Sequence, residues 1–199
     1  MSDSVLSQSM KIAAAFSDKT TARDNCAALG GHLLVSAAEA TSHLPFAALL
    51  ISATDDLASL QAAADVGCYL VCERTIKNRP LHALETEMLP GSVGIFTMVA
   101  SPSLGAGDSD AHWRDRHSPL ALEVHTMMTH YYQLSVQQRL RGPDWNGFAL
   151  CCFDTEDDLR HRFFNSDEGR DRVNRDVSYF ADTRQSPRRV VASIEPAAP

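Results

Sequence analysis

The 199-residue chain carries 18 Lys plus Arg against 25 Asp plus Glu, a net charge of −7 at pH 7, and is 44% hydrophobic. That composition supplies the core of one domain or of two small ones, and no apolar run reaches the roughly 18–20 residues of a membrane-spanning helix. The basic residues are interleaved with acids and only Lys11, Lys19 and Lys77 are lysine, which argues against a nucleic-acid footprint and for a small-molecule partner.

The N-terminus places Asp3 where a secretory leader would carry positive charge. Cys26, Cys68, Cys72, Cys151 and Cys152 form no CxxC pair and read as buried thiols of a cytoplasmic protein. In chain order, the apolar run at 11–16 predicts a strand, 20–29 a helix, and 32–39 an extended stretch opening on His32. Residues 46–53 read as a buried strand, 55–64 as a helix with acids at its start, and 68–76 as a strand. A linker is expected at 78–91, where Pro80, Pro90 and Gly91 fall. Beyond it come a strand at 93–100, a helical stretch at 110–128, an extended run at 130–138 opening on His130, a loop at 142–147 and a strand from Phe148. The stretch 156–182 is helix-rich with a loop at 165–168, and 188–194 predicts a last strand before a frayed tail.

Residues 46–57 align without a gap on 148–159, an offset of 148 − 46 = 102 with five identities, and the flanking elements repeat in kind. The order β-α-β-β-α-β, twice, is that of the split βαβ or ferredoxin-like unit. The expected fold is α+β. Two ferredoxin-like units, at 10–77 and 92–196, pack sheet to sheet in one chain so that each covers the other's apolar face, giving an eight-stranded α+β barrel of the dimeric α/β-barrel type with a pocket inside or at its mouth. Exposed sheet edges would leave a two-fold homodimer open.

Chemistry belongs to the second half, which holds both Trp and most of the His and Tyr. Asp108, Ser109 or Asp110 is expected to cap the helical stretch, and Pro119 to break it, with Ser118 as the cap of the restarted helix. Such a break would aim His117 at whatever lies over the sheet, in place to act as an acid or base near neutral pH. The competing reading is that His117 caps the helix or bonds a carbonyl. Tyr131 and Tyr132 alternate faces, so only one can reach a pocket. His112 and His117 are five apart, as are His125 and His130, whereas metal ligands on one helical face want three or four, and no HExxH or facial triad occurs, so no metal is expected. GxGxxG, Walker and GxSxG motifs are also missing from the sequence. Cys151 and Cys152 read as core. The acids and arginines of 167–176, Asp176 among them, read as a solvated helix face.

The pattern His112-Trp113-x-x-x-His117-x-Pro119-Leu120-Ala121, the His or Tyr opening the next strand, the strand and acidic helix start of 147–158, and Phe180-Ala181-Asp182 resemble an EthD domain over roughly 91–196. That family is a branch of the dimeric α+β barrel superfamily, and 10–77 resembles it only as a degenerate copy. The resemblance implies His117 as acid or base, Tyr131 or Tyr132 as hydrogen-bond donor and Asp182 as orienting carboxylate. Trp113, His112, Tyr132, Phe180 and His130 would then contact substrate. It implies proton transfer, as isomerisation, cyclisation or dehydration, or an oxidation, on a small apolar cyclic or aromatic metabolite. No cofactor is expected, although relatives leave haem open. A non-catalytic binding or accessory role is the alternative from another class.

Overall fold

The computed structural model describes residues 8–77 and 91–195; the expected linker, apart from Gly91, and the last four residues of the tail lie outside them. Eight strands are formed: β1 (Gln8–Phe16), β2 (His32–Ser36), β3 (Ala48–Ser52), β4 (Gly67–Lys77), β5 (Ser92–Met98), β6 (Met128–Arg141), β7 (Gly147–Phe153) and β8 (Val190–Glu195). Helices α1 (Lys19–Leu29) and α2 (Leu57–Ala63) belong to the first half. The second half contributes α3 (Gly105–His112), a π-helical turn (Trp113–His117), α4 (Ser118–Val124), α5 (Glu156–His161) and α6 (Asp167–Phe180). Short polar side chains begin four of them by accepting otherwise unpaired backbone N–H groups: Asp18 from Thr21, Asp56 from Ser59, Thr155 from Asp158 and Ser166 from Gly169.

The strands do not form two open ferredoxin-like sheets stacked face to face, as expected from the element order. They close into one antiparallel barrel, β1-β3-β2-β8-β5-β7-β6-β4, with the helices outside. The reason lies in the edges. A four-stranded unit leaves a row of unpaired backbone groups on each outer strand; here β2 pairs β8 from Leu33 to Ser36, and β4 pairs β6 from Cys68 to Lys77. Every strand among the described residues therefore has two neighbours.

The interior is packed. Leu49, Ile51, Val71, Tyr132, Leu134 and Leu150 fill it. Trp145, on the loop between β6 and β7, seats among Phe46, Tyr69 and Phe148 with ring centroids 5.7–5.9 Å away. The gapless repeat also fails at the level of side chains. An offset of 102 matches Leu49 to Cys151, yet Leu49 points into the barrel and Cys151 toward the helices. Since strand side chains alternate, such a mismatch reverses every position of the strand.

Ion pairs tie the two halves together from outside the barrel: exposed Arg23 on α1 meets Glu195 on β8 at 2.6 Å, and a more buried pair joins β4 to α3. Arg74 on β4 donates two hydrogen bonds to Asp110 on α3, at 3.0 and 2.6 Å, and Ser135 Oγ donates to the same carboxylate at 2.7 Å. The expected capping by Asp108, Ser109 or Asp110 is thus not seen: α3 starts earlier, at Gly105, without a side-chain cap.

No helix among the described residues is long and apolar enough to cross a membrane.

Candidate functional site

The α-helix restarts at Ser118 with Pro119 in its first turn, as expected, but the chain does not break out of a helical path there. The backbone stays helical from Gly105 to Val124, and the strain is relieved one turn earlier by the π-turn at Trp113–His117. Pro119 has no N–H for the carbonyl four residues back and its ring crowds that carbonyl; widening the turn by one residue makes room. The Ser118 N–H bonds the Trp113 carbonyl instead, and the same oxygen accepts from Ser118 Oγ at 3.1 Å and Gln133 Nε2 at 3.2 Å. Ser118 therefore secures the π-turn rather than capping a helix.

A π-turn repeats at i+5, so His112 and His117, whose spacing of five disfavours a shared face on an α-helix, come to lie together. Both meet Asp176 of α6. His117 Nδ1 donates to Oδ2 at 2.8 Å and His112 Nε2 to Oδ1 at 2.7 Å. Phe180, one turn further along α6, lies against both imidazoles at 5.1 and 5.4 Å. Burial works to raise the Asp176 carboxyl, but the two histidine hydrogen bonds outweigh it and hold the group below the usual carboxylate range.

His117, 7% exposed, faces a cavity of about 270 Å³ between the helices and the outer face of β5, β7 and β6. Its wall is mostly apolar: Phe96, Met98, Trp113, Phe163, Val177 and Phe180 among others. Tyr131 also reaches it, fully buried; its hydroxyl accepts from Trp113 Nε1 and Gln133 Nε2, each at 3.1 Å. Burial raises its pKa far enough to keep the phenol protonated, so its own O–H remains available to donate. His125 is the third ionisable group on the wall. Its Nδ1 donates to the Phe163 carbonyl at 2.7 Å, and its ring lies 4.2 Å from the Phe163 ring. Cys151 lines the cavity as well, but burial pushes its thiol up to about 12, which leaves it an unreactive wall.

The structure thus brings together four of the residues expected from the sequence, His117, Tyr131, Trp113 and Phe180. It separates the others. His112 stands behind Asp176 and away from the cavity wall. Tyr132 and His130 share the opposite face of β6, with rings 6.3 Å apart and Tyr132 in the barrel core. Asp182 orients nothing in the cavity: its carboxylate accepts the backbone N–H groups of Arg184 and Gln185 and shapes the turn after α6. The orienting carboxylate is Asp176, which the sequence reading placed on a solvated face. A signal was present, because Val173, Asp176, Val177 and Phe180 form one stripe at helical spacing.

Two consequences can be measured. Burial lowers the His125 pKa to about 4, with the Phe163 hydrogen bond opposing. The unfolded state therefore binds a proton below about pH 6.5 that the folded state refuses, and stability falls as pH drops. Relative to pH 7.5, the loss at pH 5 should be about 2 kcal/mol, and urea titrations of His125→Gln should lack this component. The second concerns the seat of Trp113: a Cβ at Gly147 would lie 2.5 Å from the indole Cζ3. Gly147→Ala should cost about 1–3 kcal/mol through overpacking and, by displacing the indole, weaken any ligand of the cavity; urea unfolding and calorimetric titration read the two effects.

Residues 101–184 match the family model described as EthD domain. No curated protein matches the chain. Among solved structures, the chain is similar to a "putative monooxygenase" from Lactobacillus acidophilus NCFM, at 8% identity and a TM-score of 0.44, over 96% of this chain and 94% of that one. His117, Tyr131 and Asp176 all lie within the stretch that matches this EthD domain model.

Proposed function

We propose that the cavity is the active site of an enzyme that moves a proton on a small, apolar, ring-bearing metabolite, with His117 as the acid or base. The observation that carries this is the His117 imidazole on an apolar wall with Asp176 bonded behind it. Donation from Nδ1 to Asp176 leaves the Nε2 lone pair as the basic end of the ring, and the carboxylate stabilises the imidazolium that forms when Nε2 takes a proton. Abstraction from a carbon beside a carbonyl sends the electron pair onto the carbonyl oxygen, where the Tyr131 O–H can bond it. The imidazolium then returns the proton elsewhere on the ring system. Nothing is oxidised or reduced, so the step calls for no cofactor.

The cavity also speaks against haem. At about 270 Å³ it lies just under the range of roughly 300–1,000 Å³ that drug-sized ligands occupy, and a porphyrin is larger than those. The presence of three ionisable groups on the wall, His117, His125 and Tyr131, favours an enzyme over a binding module, for which an all-apolar cavity would serve. The test is a thermal-shift screen of wild type and His117→Gln against phenols, quinones, lactones and polyketide-like aromatics. Each hit is then incubated in D2O and followed by NMR. Wild type should put deuterium into the ring system of a hit, or convert it, and His117→Gln should do neither. Ligands that bind both proteins and are never exchanged or converted by either would count against catalysis.

A further inference from the structure

Beside the cavity lies a second depression, of about 600 Å³, that shares the Phe96 and Phe163 side chains with it and is further lined by Phe164 and by polar residues including Arg160, Asp167, Arg170 and Arg189. Three arginines meet there, but two already have carboxylate partners. Arg160 Nε is 2.5 Å from Glu156, and Arg170 is 2.9 Å from Asp167 and 3.5 Å from Asp171. Arg189 is different. Among the described residues its guanidinium has no carboxylate or carbonyl partner; it stands over the rings of Phe96 at 5.6 Å and Phe163 at 5.8 Å. Its stem crosses Gly94, where a Cβ would come within 3.5 Å of Cδ.

The aromatic rings hold the cation in place but accept none of its N–H groups in the way a carboxylate would. Half burial and the neighbouring Arg160 charge both work against the protonated form, and the two rings under the guanidinium, Phe96 and Phe163, are themselves part of the cavity wall. A half-buried guanidinium with five donors and no acceptor is an incomplete pair.

We propose that Arg189 completes the substrate site by binding a carboxylate on the ligand whose apolar part fills the cavity. This rests on reading the cavity as a ligand site, but not on His117 acting as a base. One singly charged planar group matches the single unneutralised guanidinium in bidentate fashion. A phosphate dianion would draw on Arg160 and Arg170, whose charge is already taken, and would meet Asp167. The substrate class is therefore an aromatic or alicyclic acid whose carboxylate reaches past Phe163.

The probes are naphthalene carboxylates with no spacer or with one to three methylenes before the carboxylate, each paired with its primary amide. Dissociation constants are measured by calorimetry on wild type, Arg189→Met, Arg189→Gln and His117→Gln. At one spacer length, wild type should bind the acid about tenfold or more tighter than the amide. Both Arg189 variants should bring the two within about twofold, with affinity for the amide unchanged, which also shows that they are folded. His117→Gln should keep the acid preference. Equal binding of acid and amide by wild type, a preference that survives in both Arg189 variants, or no binding of any probe would each overturn the proposal. An acid preference that depends on Arg189, found together with undiminished deuterium exchange in His117→Gln, would sustain the carboxylate site while removing His117 from the chemistry.

Discussion

His117→Gln is expected to lower turnover of the natural substrate by a factor of about 10²–10⁴, the range a positioned general acid or base supplies, while leaving the unfolding transition nearly where it is. Gln keeps the length of the side chain and a polar end for Asp176, so the cavity wall survives; what disappears is a group that can take up and return a proton. Asp176→Asn should fall in the same range for a separate reason. Its neutral amide can hold the imidazole but cannot stabilise an imidazolium, and an amide nitrogen facing Nδ1 would favour the tautomer with its proton on Nε2, the wrong end for a base. His112→Gln, which removes only the second partner of Asp176, should cost much less. Steady-state kinetics on the hit from the exchange screen would check all three. The assignment fails if His117→Gln retains activity within a few-fold, or if His112→Gln is as damaging as Asp176→Asn.

The largest effect on stability is expected at Asp110. Removing its carboxylate leaves Arg74, 4% exposed, as a buried cation without a counter-charge, and Ser135 loses its acceptor too. Breaking a buried pair from one side costs about 3–5 kcal/mol; Asp110 itself is partly solvated, with a side chain 23% exposed, so we expect the lower end, about 3 kcal/mol. For a chain of this size that lowers Tm by roughly 6–12 °C. Replacing both partners with apolar residues, Arg74→Met with Asp110→Leu, should restore most of the loss, because the cost comes from the stranded charge more than from the pair. Calorimetric melting of the two single variants and the double variant gives the coupling directly. If Asp110→Ala melts within 2 °C of wild type, the pair is solvent-screened and does not hold α3 to the first half of the barrel.

The order of elements was legible in the sequence because it rests on local signals: apolar runs such as 46–53 and 148–153, the acids that open the helices after them, and the turn residues around Gly142–Gly147. So was the importance of His117, Trp113 and Tyr131, since a histidine just ahead of a proline and an aromatic at the start of a strand are unusual in themselves. Asp176 was missed, and so was the pairing of His112 with His117, because both depend on the π-turn. That turn is a response to Pro119 within a packed helix, and an α-helical wheel places neither residue correctly. Asp182, favoured because it closes the family-like Phe-Ala-Asp, turned out to serve the backbone of a turn.

The amino-acid sequence by itself determined which segments become strand or helix and which half carries ionisable side chains, since those follow from hydrophobic periodicity and residue chemistry within a few residues of one another. Only the tertiary structure decided that the strands close edge to edge, β2 on β8 and β4 on β6, into one continuous barrel rather than two stacked sheets, and that the cavity lies outside it under the helices. It also decided that Asp176 stands behind His117 and that Arg189 meets no acceptor among the described residues. These depend on which strand edges find each other and which charges are stranded when they do, interactions between residues far apart in the chain whose outcome no local window contains.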